Sequence, residues 1–141
     1  MITAHETDIA RYCISYATAQ GADAARVSLS KSVMDGYTIL NGELDKVTHS
    51  ADRSIYLYIF ADGRYGTFST NRLEEKELED FIVKAIEMVR MLGEDSCRRL
   101  PDPERTAKDA TTGRELGLFD EKYYNMEADE RLSNALKLSK Y

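Results

Sequence analysis

Hydrophobic and polar positions near the start of the chain repeat with the period of an amphipathic helix. The pattern predicts a helix over residues 7–20, with Cys13 on its buried face. Thr3 and Thr7 are alternative N-terminal caps, since both hydroxyls lie where the periodic residues start. Gly21 fits the position just past the helix end, where a left-handed backbone conformation is common.

A second and longer helical pattern follows residue 70. Asn71 and Glu74 have the spacing of a capping box, with the Asn71 amide in place of the usual hydroxyl. Acidic residues crowd the first turn, which suits the helix dipole, and Gly93 stands past the end. The apolar stripe comprises Leu78, Phe81, Ile82, Ala85, Val89 and Leu92. We therefore predict a helix that starts at the Asn71 cap and ends before Gly93.

Between the two helices, apolar and polar residues alternate with the period of half-buried strands. The predicted strands cover residues 25–30, 37–40, 44–49, 54–61 and 64–69. Turn signals separate them at Asp35-Gly36, Asn41-Gly42 and Asp62-Gly63. The Asn41-Gly42 pair also suits a glycine bulge. The predicted fold class is α+β, a mostly antiparallel sheet of about four to five strands with flanking helices, in the order helix, strands, helix, long loop, helix.

The strand predicted over residues 54–61 is apolar on both faces. Its isoleucines and leucine point to one side, and Tyr56, Tyr58 and Phe60 point to the other. A strand that is covered on one face only alternates with polar residues. We therefore expect another surface to cover the tyrosine side, and we predict that Tyr56, Tyr58 and Phe60 form an interaction surface.

The last third of the chain has a different pattern. Residues 94–124 show no sustained period and contain both prolines, which predicts an extended linker or a segment that wraps across another surface. A third helix is predicted from about residue 125. No stop signal precedes Tyr141, so we expect this helix to continue past the last residue. The predicted domains are an α+β N-terminal domain (1–93), the extended segment (94–124) and the start of a further helical element (125–141).

Composition narrows the class of protein. The 141 residues carry a net charge of −6, which disfavours a general nucleic-acid-binding surface. No apolar run approaches the roughly 20 residues of a membrane-spanning helix, and the polar first residues do not resemble a signal peptide. Cys13 and Cys97 lack CxxC spacing and are predicted to be free thiols in a reducing compartment. We therefore expect a cytoplasmic protein without membrane contact.

Residue types that carry catalytic chemistry do not form a recognisable active site. His5-Glu6 begins like a zinc-peptidase motif, but Ile9 and Ala10 stand where the second histidine would be. The other histidine, His49, has no further ligand near it in sequence. The residues therefore predict no metal site and no catalytic residue in this chain.

The remaining charged residues have ordinary explanations. The acidic run over residues 74–80 is typical of a solvated helix start. Arg98 and Arg99 follow Cys97 directly, but no histidine base is apparent to activate its thiol, so we interpret Cys97 as a bystander in a polar loop. Because acidic residues alternate with the basic ones here, we interpret the segment as solvated in preference to an anion site. By itself the chain is predicted to be a binding or structural module, or part of a larger enzyme.

Short motifs spread along the chain occur in a familiar order. They are Gly21-Ala22-Asp23, Asn41-Gly42-Glu43-Leu44, Asp62-Gly63-Arg64, Gly66, Ser69-Thr70-Asn71, Leu100-Pro101-Asp102-Pro103 and Leu118-Phe119-Asp120. In order and spacing they resemble the N-terminal region of the TldD/PmbA family, whose members are named as modulators of DNA gyrase. The resemblance covers nearly the whole chain.

The resemblance implies a cytosolic two-domain parent protein several hundred residues long. It also implies that one of two subunit types is a zinc metallopeptidase active in peptide maturation and proteolysis. The family's HExxxH motif is missing from this chain, so zinc is implied only for the rest of the parent or for a partner subunit. We therefore expect an N-terminal scaffold, inactive alone, that positions a peptide or a partner. The implied partners are a C-terminal domain, a TldD/PmbA-like subunit and a peptide substrate.

The alternative hypothesis is a stand-alone interaction module, a regulator of the gyrase or toxin–antitoxin type without enzymatic activity. It predicts a dimer formed through Tyr56, Tyr58 and Phe60. Under either hypothesis the residues best suited to backbone turns and to a helix cap are structural. These residues are Asn41, Gly42, Asp62, Gly63 and Asn71.

Overall fold

The computed structural model describes residues 2–107, 117–118 and 120–138. Its helices are α1 (Ala4–Ala19), α2 (Glu75–Arg90), α3 (Glu121–Asn125) and α4 (Ala128–Leu138). Its strands are β1 (Ala24–Leu40), β2 (Glu43–Ala61) and β3 (Arg64–Thr70), and a 3-10 turn covers Pro103–Arg105. These elements confirm the predicted α+β class, with an antiparallel sheet and flanking helices.

The strands in the described ranges form one sheet in the order β1-β2-β3, so the predicted count of four to five strands is too high. β1 and β2 have 17 and 19 residues, and each replaces two of the predicted strands. Asp35 and Gly36, which have the sequence of a turn, lie inside β1. A Cβ at Gly36 would lie 2.5 Å from the Thr48 hydroxyl oxygen. The glycine therefore permits a close cross-strand approach and does not reverse the chain.

Two tight turns connect the strands. Asn41 and Gly42 join β1 to β2 with φ of 52° and 80°, and Asp62 and Gly63 join β2 to β3 with φ of 52° and 68°. Positive φ at both central residues is the geometry of type I′ turns, whose twist matches that of antiparallel strands. β2 and β3 then pair in an antiparallel register over seven residue pairs.

The chain groups into two compact units. The first contains Met1–Ser32 and Ala51–Pro101, and the second contains Val33–Ser50 and Asp102–Tyr141. β1 and β2 contribute to both units because each strand is long. The division that the sequence predicts at residues 93 and 124 stays a prediction.

A continuous apolar core holds the first unit together. The inner face of β2 carries Ile55, Leu57 and Ile59, each at most 1% exposed. α1 adds Cys13 and Ala17 to this core, and the apolar stripe of α2 packs against both α1 and β3. The α2 residues that are buried are Leu78, Ile82, Ala85, Ile86 and Val89. Both helices therefore cover the same face of the sheet.

The helix starts in the first unit differ in their caps. Thr3 caps α1, because its hydroxyl accepts the Glu6 N–H at 3.2 Å while the Glu6 carboxylate accepts the Thr3 N–H at 2.8 Å. The predicted cap at Asn71 is wrong, since α2 is preceded by Glu74, whose side chain makes no cap bond. The connection after β3 runs in a non-helical conformation so that Leu73 can pack against the core. This packing moves the cap position from residue 71 to residue 74.

The second unit depends on Arg131 of α4, whose side chain is only 16% exposed. Its Nη1 donates to Asp35 Oδ2 at 2.8 Å, its Nη2 to the Tyr123 carbonyl at 2.7 Å, and its Nε to the Met126 carbonyl at 3.1 Å. The guanidinium also lies 4.7 Å from the centroid of the Tyr123 ring. Arg131 thereby joins α3, α4 and β1 within this unit.

The third predicted helix corresponds to α4, which starts three residues later than predicted, while the sequence pattern did not indicate the short helix α3. Residues 108–116 and 119 of the predicted linker, and residues 139–141 at the end of the predicted helix, lie outside the described residues. Throughout the part of the chain that the structure describes, helices are too short or too polar to cross a membrane.

Gly66→Ala is expected to destabilise the chain by about 1–3 kcal/mol, because overpacking a filled core costs about that much. A Cβ at Gly66 would lie 2.8 Å from Val89 Cγ2 and 2.9 Å from the Phe68 ring. Urea unfolding followed by circular dichroism measures the change.

Gly93→Ala is the matched control for Gly66→Ala, because nothing lies within 4 Å of a Cβ at Gly93. We expect its free energy of unfolding to stay within about 1 kcal/mol of the wild type. Equal destabilisation by both variants would contradict the role of close packing at Gly66.

Candidate interaction surface

The outer face of β2 carries the predicted interaction residues. Tyr56, Tyr58 and Phe60 alternate with the core residues of this strand and point away from α1 and α2. Across the strand pair, Tyr58 stands opposite Thr67 and Phe60 opposite Tyr65. We call the outer-face residues Tyr56, Tyr58 and Phe60 of β2, together with Tyr65 and Thr67 of β3, the tyrosine face.

Aromatic side chains on the tyrosine face remain accessible within the first unit. Tyr56 is 41% exposed, and Tyr58, Phe60 and Tyr65 are half-buried. The Phe60 and Tyr65 rings pack at 4.9 Å between centroids. Helices of this unit lie on the opposite face of the sheet, so the tyrosine face has the apolar character of a core layer without a helix of this unit over it.

Arginines approach this face from β1 and from the segment after α2. The Arg26 guanidinium lies 5.1 Å from the Tyr58 ring centroid, and the Arg98 guanidinium lies 5.4 Å from that of Tyr65. Both distances are within the range of cation–π attraction. The segment after α2 is tied to the sheet because the Asp95 N–H donates to the Gly63 carbonyl at 3.0 Å.

These arginines help to line a cavity of about 180 Å³ at one end of the tyrosine face. Its lining consists of Arg26, Tyr58, Phe60, Tyr65, Arg98, Arg99, Leu100 and Pro101. We call it the arginine pocket. The hydrophobic pattern predicted the aromatic part of this surface, whereas the alternating charges indicated that Arg98 and Arg99 face solvent. The alternation of basic and acidic residues hid their convergence with Arg26, which lies about 70 residues earlier.

A second cavity, of about 370 Å³, lies between the starts of α1 and α2. Its polar lining residues include His5, Asp8, Glu74 and Glu75. Tyr12, at the same place, donates its hydroxyl hydrogen bond to the Glu79 carboxylate. This bond to a carboxylate raises the pKa of Tyr12 above its usual range, so Tyr12 is a hydrogen-bond donor here and not a base.

The buried carboxylate of Glu6 has a structural explanation. Glu6 is 3% exposed, and its Oε1 accepts from Lys31 Nζ at 3.2 Å and lies 3.6 Å from Arg53 Nη1. The Thr3 backbone N–H and the neighbouring Lys31 ammonium lower its pKa from 4.5 to about 2, outweighing the opposing effect of burial. Glu6 therefore stays ionised and links the start of α1 to the sheet.

Among the described residues, neither histidine has neighbours that would complete a zinc site. His49 Nδ1 lies 2.6 Å from Asp35 Oδ1, and this hydrogen bond lowers the pKa of Asp35. The described residues contain no group of three His, Cys, Asp or Glu side chains arranged as metal ligands. Cys13 is buried and desolvation raises its pKa to about 11, so its thiol is inert. The donor set therefore does not fit a zinc centre.

Asp62, one of the predicted turn residues, has structural partners. The Asp62 N–H donates to Asp23 Oδ2 at 2.7 Å, and Arg90 Nε donates to Asp62 Oδ2 at 3.1 Å. Arg90 also donates to the Gly21 carbonyl at 3.1 Å. The β2–β3 turn is thus tied to the ends of α1 and α2.

Comparison with protein-family models and solved structures gives a consistent result. The model of the "PmbA/TldA metallopeptidase domain 1" matches residues 25–89. A crystal structure from Bacteroides thetaiotaomicron VPI-5482, named "putative modulator of DNA gyrase", is 33% identical, with a TM-score of 0.77 over 94% of this chain. TldE from Thermococcus kodakarensis shares the fold at 15% identity, with a TM-score of 0.61 over 79% of this chain. No curated protein matches the sequence.

The fold and these matches define an α+β domain that is the first domain of longer proteins. The chain belongs to the TldD/PmbA family, as its N-terminal domain. It spans about 30% of the Bacteroides chain and 25% of the Thermococcus TldE chain.

Glu6→Gln is expected to lower the free energy of unfolding at pH 7. The pKa of Glu6 in the folded chain, about 2, lies below its ordinary value of 4.5. Its stabilising effect is therefore fully present above about pH 4.5 and is lost as the pH falls towards 2. The difference between wild type and variant should shrink over this range, as measured by urea unfolding at pH 7, 4 and 3.

Asp8→Asn removes a carboxylate from the same helix and serves as the control for Glu6→Gln. Asp8 pairs with Arg11 on the surface, with side chains 68% and 76% exposed. Such pairs contribute about 0–1 kcal/mol, so we expect a small effect at each pH. A pH-independent loss in Glu6→Gln would show that packing, not charge, is responsible.

Proposed function

We propose that this domain is the non-catalytic N-terminal scaffold of a TldD/PmbA-like metallopeptidase subunit that takes part in peptide maturation or degradation in the cytoplasm. Zinc and the catalytic residues would belong to the rest of the parent or to a partner subunit. The domain would position a partner subunit of the same family through its tyrosine face. It would also guide an extended peptide along its sheet edge.

The observation that carries this proposal is the one-sided coverage of the sheet. Tyr56, Tyr58 and Phe60 form a layer as apolar as a core strand, yet α1 and α2 both pack on the other face. A partly exposed apolar layer of this kind is typical of a surface that meets another protein. The family match adds support, because the chain spans only about 30% of a solved family member.

The peptide role draws on the position of β3. This strand is the last in the described sheet order, so one row of its backbone N–H and C=O groups has no strand partner within the described sheet. An extended peptide can add to such an edge by backbone hydrogen bonding. Seven residues of β3, or about 23 Å at 3.3 Å each, would suit a short extended peptide.

Tyr58→Asp is expected to abolish assembly with the partner subunit, because it places a charge at the centre of an apolar interface. The measurement is the mass of the complete gene product, purified from its host with a tag and analysed by size exclusion with light scattering. The fold should survive, because the introduced carboxylate would lie beside the Arg26 guanidinium; circular dichroism checks this.

Met91→Asp is the matched control for Tyr58→Asp. Met91 is 82% exposed at the end of α2, outside the tyrosine face, and receives the same new charge. An assembled mass unchanged by Tyr58→Asp, or reduced equally by both variants, would contradict the proposed interface. A wild-type gene product that is monomeric would contradict it as well.

The stand-alone module remains the second candidate, supported by the same exposed tyrosine face. The two candidates differ in the composition of the assembly. Under the second candidate, the wild-type protein would form a dimer of this 141-residue chain alone. Native mass spectrometry of the purified gene product distinguishes a homodimer of this chain from a complex that contains a second, larger subunit.

We expect the 141-residue chain by itself to have no chelator-sensitive peptidase activity. Its two histidines lie in settings that offer no zinc ligand set among the described residues. A fluorogenic peptide assay with added zinc, with and without EDTA, measures this. Hydrolysis that EDTA abolishes, and that survives repurification, would contradict the scaffold role.

A further inference from the structure

The arginine pocket carries more positive charge than nearby carboxylates compensate among the described residues. Its lining contains Arg26, Arg98 and Arg99 and no acidic residue. Among the described residues, Arg98 pairs with Asp95 at 3.5 Å, whereas Arg26 and Arg99 have no carboxylate partner. This is unusual in a chain with a net charge of −6, because most other arginines of the described part are paired.

The guanidinium N–H groups of the pocket arginines are placed to donate hydrogen bonds to a ligand. The Arg26 guanidinium lies over the Tyr58 ring, and that of Arg98 over the Tyr65 ring. Cation–π attraction to a ring uses none of the N–H groups of a guanidinium as hydrogen-bond donors. Those donors form a fork that matches the two oxygens of a carboxylate.

Apolar side chains form part of the pocket lining. Phe60, Leu100 and Pro101 complete it around the arginines and tyrosines. The charge-assisted hydrogen bonds that the arginines can donate are stronger than hydrogen bonds between neutral groups. The cavity of about 180 Å³ is large enough for one side chain and too small for a whole folded element.

We propose that the arginine pocket is a recognition subsite for the carboxylate of a Glu or Asp side chain in the extended peptide that the domain guides along β3, the strand that contributes Tyr65 to the pocket. This inference rests on the proposed function and adds the chemical class of residue that the domain selects. Arg26 and Arg99 bind the carboxylate, and Tyr58 and Tyr65 contact the neighbouring apolar residues of the peptide.

Charge complementarity argues for this occupant. An acidic peptide is repelled by the net charge of −6 at long range, so only a local cluster of unpaired arginines can hold it. At physiological ionic strength the long-range repulsion is screened beyond about 8 Å, while contacts inside the pocket are screened less. Binding should therefore depend on the pocket residues and not on overall charge.

The test uses the 141-residue chain labelled with ¹⁵N and two peptides with blocked termini. The first has the sequence Ser-Leu-Glu-Leu-Ser, so that its one carboxylate is the Glu side chain; the second has Gln in place of Glu. We expect the Glu peptide to shift the resonances of Tyr58, Tyr65 and Arg99, and the Gln peptide to bind at least about tenfold more weakly. Inorganic phosphate is the third probe and should bind more weakly than the Glu peptide.

Arg26→Gln and Arg99→Gln should each weaken binding of the Glu peptide by about tenfold, the loss of one charge-assisted contact. Arg72→Gln is the matched control, because Arg72 is 72% exposed, pairs with Glu77 and does not line the pocket. It removes the same charge and should leave binding within about twofold of the wild type. Preserved amide spectra confirm that each variant is folded.

Each other outcome would overturn the proposal. Equal binding of the Glu and Gln peptides, equal weakening by Arg72→Gln, binding of phosphate as tight as that of the peptide, or no shift at millimolar Glu peptide would each exclude a carboxylate subsite. These results can be separated from a failure of the proposed function. If Tyr58→Asp still abolishes assembly while Arg99→Gln changes nothing, the tyrosine face remains an interface and only the carboxylate subsite is wrong.

Discussion

The close approach of α2 to the sheet is the constraint on which the first unit depends. At Gly66 a methyl group would lie 2.8 Å from Val89 Cγ2, so the helix reaches its place only because this strand residue has no Cβ. That approach allows the inner residues of β2, such as Leu57 and Ile59, to be almost completely removed from water. Burial of this kind stabilises by about 25 cal/mol per Å² of apolar surface, so a helix held further away would lose much of the core.

One-sided packing also determines which aromatic side chains of the sheet stay accessible. Because α1 and α2 both lie against the inner face, Tyr56, Tyr58 and Phe60 on the outer face stay partly accessible. The part of this layer that stays exposed adds no stability to an isolated domain, and exposed apolar surface favours association. A domain that spans about 30% of a solved family member is a natural place for this surface, since the rest of such a protein or its partner can cover it.

The fold also determines which charged side chains are paired. Glu6 is buried against Lys31 and Arg53, which ties the start of α1 to the sheet, and Arg131 has a similar role in the second unit through Asp35. These paired groups are structural. The arginine pocket differs because two of its three cations have no carboxylate partner among the described residues, and charges left in this state favour an anionic ligand.

Local sequence determined the parts of this protein that depend on neighbouring residues: the periodic stripe of α2, the buried Cys13 and the β2–β3 hairpin with its turn at Asp62. The order and spacing of the short motifs were also enough to identify the family. Only the tertiary structure showed that Asp35 and Gly36 continue a strand, in which Gly36 lies close against Thr48. It likewise displaced the start of α2 from the Asn71 cap and brought together arginines that lie about 70 residues apart. Hydrophobic periodicity and residue propensity indicate only the local preference of the backbone. The strand at Gly36, the start of α2 and the arginine pocket depend on contacts between segments that are distant in sequence.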